Sequence, residues 1–349
     1  MLAVVIRGAG DLAIEGQETG DPDWGQVVVR VEAGGIGGTE SFLYQNGISG
    51  PSGCVRMESL IPGHEVAGRI ARIGPGVTGL RVGDLVAVDP RVPCGACRCC
   101  RSGSPDLCLS PRILGTLMAR RTPVQGAFRD EFLCAALQCV PAAFMDASAL
   151  ALSNPMATAL RALSGAGELE GRRLLVMGDS TPAALAVAAS RLHGVTSVAA
   201  ASTEPQSLAV AARLGADHTV DIERRPGALA RPENRADVTL FFGASPERAA
   251  LREAMLVDAV APGGIVVLAN AARLSIKTQK LFAARGIILR DAPQSDGQSK
   301  AFREAVSLID SRHVQLDTLI ERHYPMRDTR TAFEHATTHR GATKIQIAF

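Results

Sequence analysis

Leu174-Leu175-Val176-Met177-Gly178-Asp179-Ser180-Thr181-Pro182-Ala183 reads as a short apolar strand, a turn and the opening of a helix. Four consecutive apolar residues closed by a glycine suit a strand covered on both faces. The Ala-rich run from Ala183 to Leu192 continues the helix. The same alternation then repeats: a strand at Ser197–Ala201, a helix near Leu208–Leu214, a strand near Val238–Phe242, a helix near Pro246–Val260 and a strand at Ile265–Leu268. Strands alternating with helices predict a parallel sheet with right-handed crossovers, hence a doubly wound, Rossmann-like domain over residues 151–298.

Residues 1–150 have a different texture. Val27 to Val31 is a β-branched run, Val66 to Ile73 is another ended by Gly74-Pro75-Gly76, and Arg81 to Val88 is a turn entering a strand. Short strands at close spacing with Gly-rich turns predict a folded-up β-barrel. The tail, residues 299–349, holds an amphipathic helix at Lys300–Ile309 and a strand at Lys344–Phe349, and is expected to return to the first domain. A chain of 349 residues suits two such domains. With 46% hydrophobic and 21% charged residues it is globular rather than disordered. A net charge of +2 with scattered basic residues gives no nucleic-acid footprint. No apolar run reaches membrane-span length, and Met1 to Arg7 reads as a strand rather than a signal peptide. The expectation is a cytoplasmic protein acting on a small molecule, with no nucleic-acid or membrane partner.

Five of the eight cysteines crowd between Cys94 and Cys108. Cys94, Cys97, Cys100 and Cys108 stand at C-x2-C-x2-C-x7-C spacing. Four thiolates on one compact loop can close a tetrahedral, saturated and therefore structural zinc site, one per chain. Cys99 reads as a bystander, and Cys134 and Cys139 as small apolar packing residues.

Pro62-Gly63-His64-Glu65-Val66-Ala67-Gly68, the cysteine loop, Leu214-Gly215-Ala216-Asp217, Ala261-Pro262-Gly263-Gly264 and Ala342-Thr343-Lys344-Ile345-Gln346 together resemble the zinc-dependent medium-chain alcohol dehydrogenase superfamily. The likeness covers nearly the whole chain and is greatest to the polyol branch, that of L-idonate 5-dehydrogenase and sorbitol dehydrogenase. It implies a GroES-like catalytic barrel, oxidation of a secondary alcohol with NAD, a second, catalytic zinc, and a homodimer or homotetramer.

Several residues depart from that pattern. The family's ligand cysteine falls at Gly37 in Gly35-Ile36-Gly37-Gly38-Thr39-Glu40, and its frequent Glu-Pro is Asn154-Pro155. His64 and Glu65 remain, and alone they make a weak site, so no catalytic zinc is expected; Cys54 is a remote substitute ligand. In the G-x-G-x-x-G turn only Gly178 survives. Ser180 adds a side chain where the pyrophosphate would pass, Asp179 adds negative charge, and Thr181-Pro182 reads as an N-cap followed by a first helical residue. The ribose-binding acid is replaced by Ser202, which can accompany NADP, but Gln206 stands where an Arg often lies. NAD(P) binding through Gly178, Ser180 and Ser202 is therefore expected in an altered mode if at all.

Three readings follow. The first is an alcohol/polyol oxidoreductase with Thr39 as proton relay beside His64. The second is a non-redox acid–base enzyme (elimination, isomerisation or cyclisation) using His64 and Glu65, assisted by Thr39 and Glu40. The third is a non-catalytic partner protein. Arg120 is a candidate for binding a substrate carboxylate.

Overall fold

The computed structural model describes residues 1–48, 57–117, 123–230, 235–243, 246–269, 272–293, 299–314, 316, 318–339 and 341–349. Its second half is built on a six-stranded parallel sheet. Across the sheet the strands run His218–Asp221, Ser197–Ser202, Arg173–Met177, Ala236–Phe242, Val260–Ala269 and Ile288–Asp291. In chain order that is 3-2-1-4-5-6, the doubly wound arrangement whose order reverses beside the first strand. Alternation along Arg173–Met177 explains the two covering layers. Leu174 and Val176 pack with Leu160, Ala184 and Leu185 on one face, while Leu175 and Met177 pack with Leu256, Ala259 and Phe282 on the other. The two outermost strands escape the sequence reading because edge strands need no continuous apolar run: His218 and Thr219 are exposed, as is Ile288.

The first half forms a seven-stranded sheet ordered Ile320–Pro325, Lys344–Ala348, Gln26–Ile36, Val66–Ile73, Leu85–Val88 and Cys139–Pro141, with Glu131–Ala135 also paired to Gln26–Ile36. Lys344–Ala348 runs antiparallel to Gln26–Ile36, bringing Ile345 opposite Ile36 and Gln346 opposite Gly35. Chain from beyond the parallel sheet thus completes the first sheet. The two halves share one core, which runs from Ala67 and Ala87 through Leu150, Met156 and Leu160 on the helix Ser153–Ala166 to Leu174. No helix among the described residues is long and apolar enough to cross a membrane.

The barrel's own core centres on Phe128, which is fully buried and packs edge-on to Phe333 at 6.3 Å and against Phe349 at 5.8 Å. Its ring lies so close to Gly63 that a Cβ there would come within 2.2 Å of it, and Gly63 adopts φ 105°, which only glycine takes without strain. Phe128 therefore fixes the backbone that carries His64. Phe128→Ala is expected to cost about 3–5 kcal/mol, read as a lower denaturation midpoint with an unchanged slope.

Candidate active site

A cleft of about 640 Å³ runs between the barrel and the parallel sheet, lined by Thr39, His64, Glu65 and Lys344 at one end and by Ser180 and Thr181 at the other. Its floor is a pair of charge contacts, one buried and one part-buried. His64 Nδ1 lies 2.5 Å from Glu40 Oε1, and the Glu40 side chain is fully buried. Glu40 occupies the third position of the helix Gly38–Asn46, and its Oε2 accepts the Gly37 N–H at 3.0 Å. One carboxylate thus caps a helix and orients an imidazole. Glu40 is not among the residues that line the cleft; its carboxylate meets His64 Nδ1. Burial alone would raise the Glu40 carboxyl, but the His64 charge and hydrogen bond hold it below its ordinary range. Burial likewise pulls His64 down, and Glu40 more than offsets this, leaving the imidazole above its ordinary value.

Glu65 is not a free acid or base either. Its Oε2 and Oε1 lie 2.8 and 3.1 Å from Lys344 Nζ, and both residues are buried. Lys344 has no assigned role in the sequence motifs; its one sequence signal is a lysine at the head of the Ile-rich strand Lys344–Ala348. Thr39 lines the cleft near His64, and Asn154 lines it from the helix Ser153–Ala166.

The donors around His64 do not fit a zinc. Gly37 and Asn154 supply no thiolate or carboxylate, Glu65 is taken by Lys344, and a Cβ at Gly37 would lie 3.1 Å from carboxylate oxygens of both Glu40 and Glu65. Among the described residues, groups of three or more converging metal-ligand side chains occur elsewhere, at Cys94–Cys97–Cys100–Cys108 and at Glu321–His335–His339. In the cysteine set the Sγ–Sγ separations include 3.5, 3.9 and 4.0 Å. They bracket the roughly 3.8 Å edge of a tetrahedron with 2.3 Å Zn–S bonds. Backbone amides of Cys100 and Leu109 draw the Cys97 thiol down to about 6, while desolvation and neighbouring thiols push Cys100 up to about 12. A dication held there would reconcile those demands by taking all four as thiolates. Cys99 stays outside the set, and Cys134 and Cys139 are buried in the barrel core. Cys54 and Arg120 lie outside the described residues.

At the other end of the cleft the turn differs from its sequence reading in two ways. The helix spans Thr181–Ser190, with Ser180 rather than Thr181 as N-cap; Ser180 makes no capping bond, and no acid sits in the first turn. Its Oγ is buried without a hydrogen-bond partner. The turn therefore does not satisfy itself, and an anion at this helix N-terminus would meet an orphaned hydroxyl and the positive end of the dipole. Asp179, expected to repel phosphate, is instead ion-paired with Arg252, whose side chain is buried and whose guanidinium burial lowers to about 10. Ser202 and Thr203 donate to the same carboxylate. Ser202 is thereby committed to Asp179, and the crevice it shares with Gly178 measures only about 10 Å³. Gly178 itself packs against Phe242 and Ala183.

Residues 23–144 match the alcohol dehydrogenase GroES-like domain family. The chain is 32% identical to a sorbitol dehydrogenase of Bacillus subtilis over 64% of its own length and 62% of that protein's. It is 27% identical to an L-idonate 5-dehydrogenase (NAD(P)(+)) of Escherichia coli over 99% and 98% of the two chains. The crystal structure of L-idonate 5-dehydrogenase from Escherichia coli superposes with a TM-score of 0.83 at 25% identity, covering 100% of this chain and 98% of that one. The chain belongs to the medium-chain, zinc-dependent alcohol dehydrogenase superfamily. Its branch is that of the sorbitol and L-idonate dehydrogenases.

The His64–Glu40 pair sets a pH window for stability. Glu40 is depressed below 4.5, so its contribution is present above that value and lost as pH falls through the depressed one. His64 is raised above 6.5, so its contribution is full below that value and lost as pH rises through the raised one. The melting-temperature difference between wild type and His64→Gln is expected to be largest between pH 4.5 and 6.5 and to shrink on both sides; a flat profile would show that the contact carries no charge.

Proposed function

We propose that the chain is an alcohol- or polyol-type oxidoreductase in which His64, backed by Glu40, handles the substrate hydroxyl proton, with one structural zinc in the cysteine loop. The observation that carries this reading is the buried Glu40 contact to His64 Nδ1, which leaves Nε2 for the cleft. A nicotinamide cofactor, when bound, supplies the hydride acceptor or donor. In the oxidising direction neutral His64 accepts the hydroxyl proton, with Thr39 as relay; in the reducing direction the imidazolium donates it. Lys344 offsets the Glu65 charge beside His64, so no bare Glu65 carboxylate opposes an oxyanion developing in the cleft.

The fit of NAD(P) differs between the two ends of the cofactor. The uncapped helix N-terminus and the unpartnered Ser180 hydroxyl suit a pyrophosphate, and Arg252 removes the charge objection at Asp179. The ribose end is unlike the usual arrangement, because Ser202 and Thr203 are spent on Asp179. The proposal is therefore NAD(P) in an altered mode. The exposed Ile288 on the edge strand of the parallel sheet supports a homodimer or homotetramer joined along that edge.

A second reading, a non-redox acid–base enzyme using the same His64, draws on the Asp179–Arg252–Ser202 closure of the ribose position. Calorimetric titration with NAD, NADH, NADP and NADPH separates the two. Micromolar binding of any one is the expected result; no binding by all four would leave the acid–base reading. With a turnover assay in hand, His64→Gln is expected to lower the rate by roughly 10²–10⁴-fold while cofactor binding persists. Cys97→Ser is expected to lose one zinc per chain, by elemental count, and to lower the melting temperature.

A further inference from the structure

The geometry points to a divalent-metal site of zinc type formed by Glu321, His335 and His339, separate from the cysteine loop and from the His64 pair. Glu321 lies on the strand Ile320–Pro325; His335 is on the helix Thr329–Thr338, and His339 follows one turn later at its C-cap. One ligand atom from each lies within 4.8 Å of the others.

Three features distinguish this cluster from a hydrogen-bonded surface network. The first is spacing. His335 Nε2 is 3.4 Å from Glu321 Oε1, and His339 Nδ1 is 3.4 Å from Glu321 Oε2. Both separations exceed the usual 2.7–3.2 Å of an N–H···O bond. Each alone is near the roughly 3.3 Å edge of a tetrahedron with 2.0–2.1 Å metal–ligand bonds, the two imidazoles meeting different oxygens of the one carboxylate. The second is outer support. His335 Nδ1 is held at 3.0 Å by the Tyr324 hydroxyl, and His339 Nε2 at 2.9 Å by the Thr343 hydroxyl. Metal-binding imidazoles are oriented in this way through the ring nitrogen that does not bind the ion.

The third is the tautomer this imposes. Thr343 donates to Glu321 Oε2 at 2.6 Å, so it accepts from His339 Nε2–H. In that tautomer a neutral ring presents its Nδ1 lone pair toward the Glu321 carboxylate, an arrangement that a cation between them would satisfy. Gln206 Nε2 donates to the same Oε2 at 3.0 Å, reaching across from the helix Pro205–Arg213 of the parallel-sheet half. The ion would thus sit where the two halves meet, at a cleft that His339 and Thr343 also line. Two imidazoles and one carboxylate leave at least one coordination position open for water or an anionic group in that cleft.

The test uses the full-length protein, equilibrated with zinc and then dialysed against metal-free buffer. Wild type is expected to retain one more zinc per chain than the His335→Gln/His339→Gln double variant, while Cys97→Ser loses a different equivalent, so that the two losses add in the triple variant. Cobalt(II) titration of wild type provides a readout that needs no variant to fold: a d–d absorption of a nitrogen–oxygen site, distinct from thiolate charge transfer, is expected to saturate at one equivalent. Equal zinc in wild type and the double variant, or no such cobalt band in wild type, would overturn the site.

Discussion

Three buried ionisable groups, Glu40, Glu65 and Lys344, and the part-buried His64 on the cleft floor constrain everything around them. A carboxylate taken out of water must be paired or hydrogen-bonded, and breaking one such pair costs about 3–5 kcal/mol. Glu40 meets this need through His64 and the Gly37 amide, and Glu65 through Lys344. Lys344 arrives on a strand that follows the whole parallel sheet in the chain, so the barrel cannot neutralise Glu65 until its last strand has docked. The ion pair thereby ties the closing of the first sheet to the assembly of the site.

This arrangement redistributes roles among residues that neighbour each other in sequence. His64 faces the cleft and Glu65, the next residue, serves the Lys344 pair. Thr39 lines the cleft, and Glu40 holds His64 from behind. The lack of a side chain at Gly37 is matched to that packing, since a Cβ there would press on both carboxylates. No unpaired carboxylate is left beside His64, since Glu40 is paired with His64 and Glu65 with Lys344.

At the opposite end of the cleft, the buried Arg252 pairs with the part-buried Asp179 and offsets what would be a repulsive carboxylate next to the helix N-terminus. That exchange leaves the anion-attracting end of the helix intact while consuming the hydroxyls of Ser202 and Thr203. The cysteine loop and the Glu321 cluster show two ways of gathering metal-type ligands. The first lies within one short segment, and the second is assembled from a strand and a helix with support from Gln206 across the molecule.

The sequence by itself determined the parallel sheet, the barrel and the cysteine set, because each depends on local pattern: apolar runs alternating with helices, β-branched runs between glycine turns, and four thiols within one loop. It also placed His64 and Thr39 at the cleft through motif resemblance. Tertiary structure alone decided what those residues do. No spacing rule relates Glu65 to Lys344, Asp179 to Arg252, or Glu321 to His339 and Gln206, because these partners are far apart in the chain and meet only through strand pairing and domain packing. The edge strands His218–Asp221 and Ile288–Asp291 stayed hidden for a related reason: half-exposed edges form by hydrogen bonding to a neighbour and need no apolar signal of their own. Charge placement in this protein is a property of the assembled fold, since the need to pair a buried charge can be met by any residue the fold brings within reach.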